Sequence, residues 1–409
     1  MRRDPVRKRL ESAGHRAARK PWMAIVLALA LAVMAGNACA QVWAPAWTAS
    51  PAPDRGDVTP DKKPLQFADQ TVRQDMRLGT SARALRFRIS NELGAAPLKL
   101  DTLVAWRVDA PARRLPVRFG GRDAIVVPVG AVLLSDPVDI AAPAFAEVGL
   151  SLHFPEPTHP AVRRTALRAG PGKAEVADDA PLEYRQNVIS AVLAERDNAP
   201  ATIVALGDSI TEGATAGLGS EGDWPALLAR RLEQACPGRY VVLNAGISGN
   251  KVLDAGRSHS ALARLDRDVL SLPGVDYAIL LEGINDIRHS GAPDFRPGRS
   301  GDDVIIGYRQ IVARLQMHGI RTFGATLTPF GGSERYEPVS AAARQQANAF
   351  IRQDGVFAGV IDFDATLRDP DRPEFLPDAI TRDHLHPNRD GYARMAQAID
   401  LSLFGCQAP

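Results

Sequence analysis

Five short apolar runs, at 203–206, 240–244, 277–282, 321–327 and 359–363, divide the second half of the chain, and each leads into a longer segment, most of them with helical spacing. Parallel strands cannot be joined by tight turns, so a strand–crossover–strand alternation repeated five times predicts an α/β fold with a doubly wound parallel sheet. The clearest crossover opens at Asp223, a side chain suited to capping a helix, with Pro225 in the first turn. Trp224, Leu227, Leu228, Leu232 and Ala235 then form one apolar face, and Pro237-Gly238 ends it. In open sheets of this kind the functional groups gather beyond the carboxyl ends of the strands, near the point where strand order reverses. Ser209 follows the first run directly, while Gly249 and Asn285 follow the second and third.

Upstream of Ala199-Pro200 the pattern is different. Prolines are frequent and apolar residues alternate with polar ones: Leu85, Phe87 and Ile89 with Arg86 and Arg88, and Val148, Leu150, Leu152 and Phe154 with Gly149, Ser151 and His153. Turn signals at 91–94 and Gly120-Gly121 separate such runs, which predicts an all-β, sandwich-like domain over 41–197, followed by the α/β domain over 198–409. At 409 residues two domains are the expectation, and no internal repeat or low-complexity tract argues otherwise. Trp43, Trp47 and Trp106 lie in the first domain; scattered tryptophans in a β-domain are more often core than a sugar-stacking platform.

Residues 1–40 stand apart. A basic stretch from Arg2 to Lys20 precedes an apolar run from Met23 to Gly36, and Ala38-Cys39-Ala40 supplies small residues. This reads as an export signal cleaved after Ala40, giving a periplasmic or secreted protein; an uncleaved anchor is the alternative, and lipidation at Cys39 is a weaker one because Gly36 and Asn37 precede it. Without this segment 41 basic and 45 acidic residues remain, a net charge of −4, so the basicity belongs to the leader and nucleic acid is not an expected partner. Two cysteines remain, Cys236 and Cys406, an even number that permits a disulfide in an oxidising compartment.

A serine hydroxyl becomes nucleophilic when an imidazole takes its proton and a carboxylate orients that imidazole. Gly207-Asp208-Ser209-Ile210-Thr211 and Asp383-His384-Leu385-His386-Pro387 carry those three groups. With Gly249 and Gly283-Ile284-Asn285-Asp286 they resemble the four blocks of the SGNH, or GDSL, hydrolases over about residues 200–403. The resemblance implies a flavodoxin-like fold and ester hydrolysis, with Ser209 as nucleophile, His386 as base and Asp383 orienting it. It also implies an oxyanion hole of the Ser209 and Gly249 backbone N–H groups and the Asn285 amide. Gly246 is the alternative to Gly249. The family spacing selects His386 over His384, and a metal held by both histidines lacks a third ligand, so no metal or cofactor is expected. Asp208 and Asp286 read as carboxylates that fix loops. The acid and base stand three residues apart, and no Gly-x-Ser-x-Gly elbow is present, which separates this pattern from the α/β-hydrolases.

Within that family, the β-rich first half together with Thr328-Pro329-Phe330-Gly331-Gly332 and the 383–388 segment is similar to bacterial esterases grouped with acetylxylan esterases, implying carbohydrate deacetylation. Lipase or lysophospholipase activity and a non-catalytic polysaccharide-binding protein are the alternatives. The β-domain could bind carbohydrate, extend a wall of the site or act as a structural companion; the last two together are the reading adopted. In the implied topology the first and last helices end at the same edge of the sheet, opposite the catalytic loops, so Cys236 and Cys406 are expected to pair. The sequence leaves oligomeric state open.

Overall fold

A computed structural model describes residues 42–53, 66–217, 219–256, 258–288, 298–353 and 355–406. The proposed leader, its cleavage point and Cys39 lie outside the described residues. The first half forms two antiparallel sheets. One contains β1 (Val42–Thr48), β3 (Leu85–Ser90), β7 (Val132–Leu134) and β11 (Ile189–Arg196), in the order β1-β11-β3-β7. The other contains β2 (Gln70–Arg77), β4 (Leu98–Arg107), β5 (Leu115–Pro116), β6 (Ile125–Val127), β8 (Glu147–Phe154), β9 (Val162–Pro171) and β10 (Glu183–Asn187), in the order β10-β9-β2-β8-β4-β5, with β6 also on β4. Phe87, Ile89 and Val192 from one sheet and Val72, Met76, Leu100 and Leu150 from the other share one apolar core. That is the expected sandwich-like arrangement.

Alternation holds along β3, but β8 departs from it: Gly149 and His153, on the polar side of the pattern, are buried. Gly149 has no room for a side chain, since a Cβ there would sit 2.6 Å from the Trp106 ring. His153 is covered by carboxylates, its Nδ1 2.6 Å from Asp101 and its Nε2 3.1 Å from Asp69. Trp106 is buried, with Arg114 and Arg73 over its ring, whereas Trp43 and Trp47 are only half-buried.

The second half is a five-stranded parallel sheet of β12 (Ala201–Gly207), β13 (Tyr240–Gly246), β14 (Val275–Leu281), β15 (Arg321–Ala325) and β16 (Gly359–Ile361), in the flavodoxin-like order β13-β12-β14-β15-β16. Its helices are α1 (Ser209–Glu212), α2 (Trp224–Ala235), α3 (Ala261–Leu265), α4 (Ile284–Ile287), α5 (Gly301–Gln316), α6 (Pro338–Gln353), α7 (Phe363–Leu367) and α8 (Arg389–Ala398). Asp223 caps α2 by accepting from the Ala226 N–H at 3.0 Å, and Asn388 caps α8. Ser300 and Asp303 form a reciprocal capping box at the start of α5. Tyr392, Met395 and Ala396 on the last helix and Ile399 just past it are buried in the core of this half.

The last two strands are shorter than the apolar runs that predict them. Asp362 ends β16 by capping α7 through the Ala365 N–H, and its carboxylate also accepts from the hydroxyl of Thr326, the residue just past β15. Cys236 and Cys406 are joined by a disulfide. Among the described residues no helix is long and apolar enough to cross a membrane.

The two halves make one compact unit with two cores. A Cβ on Gly79 would stand 2.7 Å from Val241 on β13, so the halves approach closer than an alanine allows. Arg264 is fully buried at this junction and donates to the Ser50 hydroxyl, the carbonyls of Gly207 and Ala245, the Asn250 side chain and Asp268. A cleft of about 410 Å³ also runs between the halves, bordered by Trp47, Gln74, Arg163, Tyr184, Glu212 and Val242.

Candidate active site

The register of the parallel sheet brings the candidate residues to one edge. Gly207 on β12 lies beside Gly246 on β13 and Leu281 on β14, so the segments carrying Ser209, Gly249 and Asn285 leave from adjacent strand ends. At Gly207 a Cβ would be 2.3 Å from the Thr211 hydroxyl and 2.4 Å from the Leu281 carbonyl, so the chain turns sharply into α1. Asp208 caps that turn by accepting from the Ile210 N–H at 2.9 Å, and Gly213 closes it in the left-handed conformation at φ 82°.

Ser209, 8% exposed, has its Oγ 2.8 Å from His386 Nε2, and His386 Nδ1 lies 2.6 Å from Asp383 Oδ2. The other Asp383 oxygen accepts from the backbone N–H groups of His386 at 2.8 Å and Leu385 at 3.1 Å. Partial burial would raise the Asp383 carboxyl, but the hydrogen bonds from His386, ring and backbone, hold it below its ordinary value. A carboxylate on Nδ1 fixes the proton there and leaves Nε2 as an acceptor for the serine hydroxyl. His384 takes no part in this chain: it sits at φ 57° with Nδ1 3.7 Å from Asp378.

The second and third loops are tied to each other. The Asn285 amide donates to the Asn250 carbonyl at 3.0 Å and, over a longer 3.4 Å, to Asp208. The longer contact is the weaker of the two. Asp286 accepts from the N–H groups of Val252 and Leu253 at 2.8 and 3.0 Å, which pins the end of the Gly249 loop. Gly249 itself is left-handed at φ 75°. Gly246 has a different duty. Its N–H is taken by Asn244 Oδ1 at 2.9 Å, and its missing side chain leaves space for the α1 backbone, where a Cβ would be 2.2 Å from Glu212 N.

Beneath the site lie three buried carboxyls. Burial pushes Asp208 up to about 7, despite the Ile210 N–H, and Asp286 to about 6, despite its two backbone donors. Glu282 is raised well above the usual range by burial and by the Asp208 charge. These groups hold backbone or fill the interior, in line with the loop-fixing reading of Asp208 and Asp286.

Sequence reasoning missed Glu212, Asn250 and Arg264. The signal at Glu212 was an acid at the C-terminal end of a helical turn, where the helix dipole disfavours it unless something else holds the charge. Arg264 gave no signal beyond a basic residue among apolar ones.

Residues 205–394 match the model of the GDSL-like lipase/acylhydrolase family. Among solved structures the chain is similar to a lipolytic protein of the G-D-S-L family from Desulfitobacterium hafniense, at 21% identity and a TM-score of 0.36, covering 48% of this chain and 97% of that one. It is also similar to an acetylxylan esterase from Geobacillus stearothermophilus, at 23% identity and a TM-score of 0.40, covering 51% of this chain and 95% of that one. None of the curated proteins matches.

Proposed function

From a chain that carries, over residues 205–394, a domain of the GDSL-like lipase/acylhydrolase family and is thereby an ester hydrolase, we propose a mechanism through an acyl-enzyme on Ser209. The observation that carries it is the continuous chain Ser209–His386–Asp383, with contacts of 2.8 and 2.6 Å. His386 takes the hydroxyl proton as Ser209 Oγ attacks the ester carbonyl, and Asp383 steadies the imidazolium. The negative charge that develops on the carbonyl oxygen is met by the N–H groups of Ser209 and Gly249 and by the Asn285 amide. His386 then protonates the leaving alcohol, and water activated by the same imidazole releases the acid.

The substrate we propose is an acetylated carbohydrate, and the place of action is outside the cytoplasm. The supporting feature is the pairing of Thr328–Gly332 with the 383–388 segment, which lie side by side: a Cβ on Gly332 would stand 3.4 Å from His384. The test is an acyl series on the protein without residues 1–40, from acetyl to long-chain p-nitrophenyl esters, with acetylated xylan and lysophospholipid, beside Ser209→Ala. Rates falling with chain length support deacetylation, whereas rates rising with it support a lipase. Persistent hydrolysis by Ser209→Ala rejects the mechanism.

A further inference from the structure

We propose that Tyr184 and Glu212 are positioning residues for the oxyanion-binding loop, so that the β-rich half contributes to catalysis. The inference rests on the hydrolase mechanism above. Glu212 closes the helical turn that Ser209 opens, and its carboxylate is buried between two donors from different parts of the fold. One oxygen accepts from the backbone N–H of Ser248, the residue immediately before Gly249. The other accepts from the hydroxyl of Tyr184 on β10. Arg163 on β9 stands 4.0 Å from the Tyr184-bound oxygen and donates to the Asn244 carbonyl at 3.5 Å. Asn244 in turn donates to the Thr211 carbonyl at 2.7 Å and accepts from the Gly246 N–H.

The consequence is geometric. The peptide between Ser248 and Gly249 carries the N–H proposed to meet the oxyanion, and Glu212 holds the preceding N–H. Rotation of the Glu212 carboxylate therefore moves Gly249 relative to Ser209, two groups that have to face one carbonyl oxygen. Tyr184 fixes that rotation. The residue is 41% exposed while its hydroxyl turns inward, so it adds little to the core and its bond to Glu212 is its main contribution. Burial, with the nearby Glu212 charge, raises the tyrosine hydroxyl well above its ordinary value, which keeps it a donor throughout the working pH range.

Steady-state kinetics with p-nitrophenyl acetate and inhibition by phenylboronic acid, which forms a tetrahedral adduct on a nucleophilic serine, test the proposal. Tyr184→Phe is expected to lower kcat by about 3- to 10-fold with KM within about twofold, and Glu212→Met by roughly 30- to 100-fold, as for loss of alignment of one oxyanion donor. Glu212→Gln, which keeps an acceptor for Ser248, recovers most of the loss. Adding Tyr184→Phe to Glu212→Met changes nothing further, because the two act as one unit. The affinity for phenylboronic acid falls in proportion to kcat/KM. Unchanged kcat in Tyr184→Phe, a loss carried by KM alone, or additive effects would overturn the proposal; Tyr184→Phe decides the matter even should Glu212→Met not fold. Ser209→Ala separates the premises: if it stays active the hydrolase mechanism falls, and if it is dead while Tyr184→Phe is normal only the positioning role falls.

Discussion

Replacing Gly246 by alanine tests whether the serine-bearing turn is held by backbone packing. The added Cβ would lie 2.2 Å from Glu212 N, 2.7 Å from its Cα and 2.8 Å from the Thr211 carbonyl carbon. All three are main-chain atoms, so no rotamer change relieves the clash. Restoring ordinary contact at about 3.4 Å requires α1 and β13 to separate by roughly 1 Å. Ser209 sits at the other end of the same four-residue turn, with its Oγ 2.8 Å from His386. A displacement of that size at a reacting atom costs on the order of 100-fold in rate, and overpacking costs about 1–3 kcal/mol of stability. The assay is kcat on p-nitrophenyl acetate beside urea unfolding, with Gly170→Ala as control, since a Cβ there meets only Val176 at 3.6 Å. A Gly246→Ala enzyme within threefold of the parent, with an unchanged unfolding midpoint, would refute the packing argument.

Asp208→Asn should change how stability varies with pH. The folded protein keeps a proton on Asp208 up to about pH 7, whereas the unfolded chain releases it near its ordinary 3.8. Stability from this group therefore falls as pH rises between those values, by about 4 kcal/mol taken alone. Asparagine retains the cap without titrating, so the variant gains on the parent from pH 4.5 to 7.5 in urea unfolding; a pH-independent difference sinks the idea. Arg264→Met leaves Asp268 buried without one of its two cationic partners and takes a donor from the Gly207 and Ala245 carbonyls, at an expected cost of about 3–5 kcal/mol by urea midpoint. A loss under 1 kcal/mol contradicts the role assigned to it. The Cys236→Ser/Cys406→Ser double variant should lose about 2–5 kcal/mol yet keep its kcat at 25 °C, and the parent, denatured without reductant, should show no free thiol.

The parallel half was legible because its signals are local. Five apolar runs, the cap at Asp223 and the Pro-Gly stop each act over a few residues, and they coincide with β12 to β16 and α2. The blocks around Ser209, Asn285 and His386 could be read because their chemistry demands particular side chains near particular strand ends. Strand ends at 325 and 361 were missed because Asp362 and Thr326, each polar and unremarkable in sequence, bond across the sheet. The Tyr184–Glu212 pair was illegible for a related reason: it joins a strand residue of the β-rich half to the end of α1, 28 residues on, and only the docking of the two halves makes them neighbours. His153 shows the same limit in the β-rich half, where alternation marks a surface position and two carboxylates from other segments cover it.

The Cys236–Cys406 bond ties off a loop with a separation of 170 residues. That loop contains β13, β14, β15 and β16, but not β12, which runs between β13 and β14 at the reversal of strand order. The ring thus encloses His386, Asp383 and two of the proposed oxyanion donors, and excludes Ser209. If the thiols oxidise before the sheet is assembled, β12 has to insert between two strands that already belong to one closed loop. Oxidation after assembly instead locks the outer strands around a strand already seated. Strand insertion and thiol oxidation are therefore in competition wherever the thiols can oxidise before the sheet is complete.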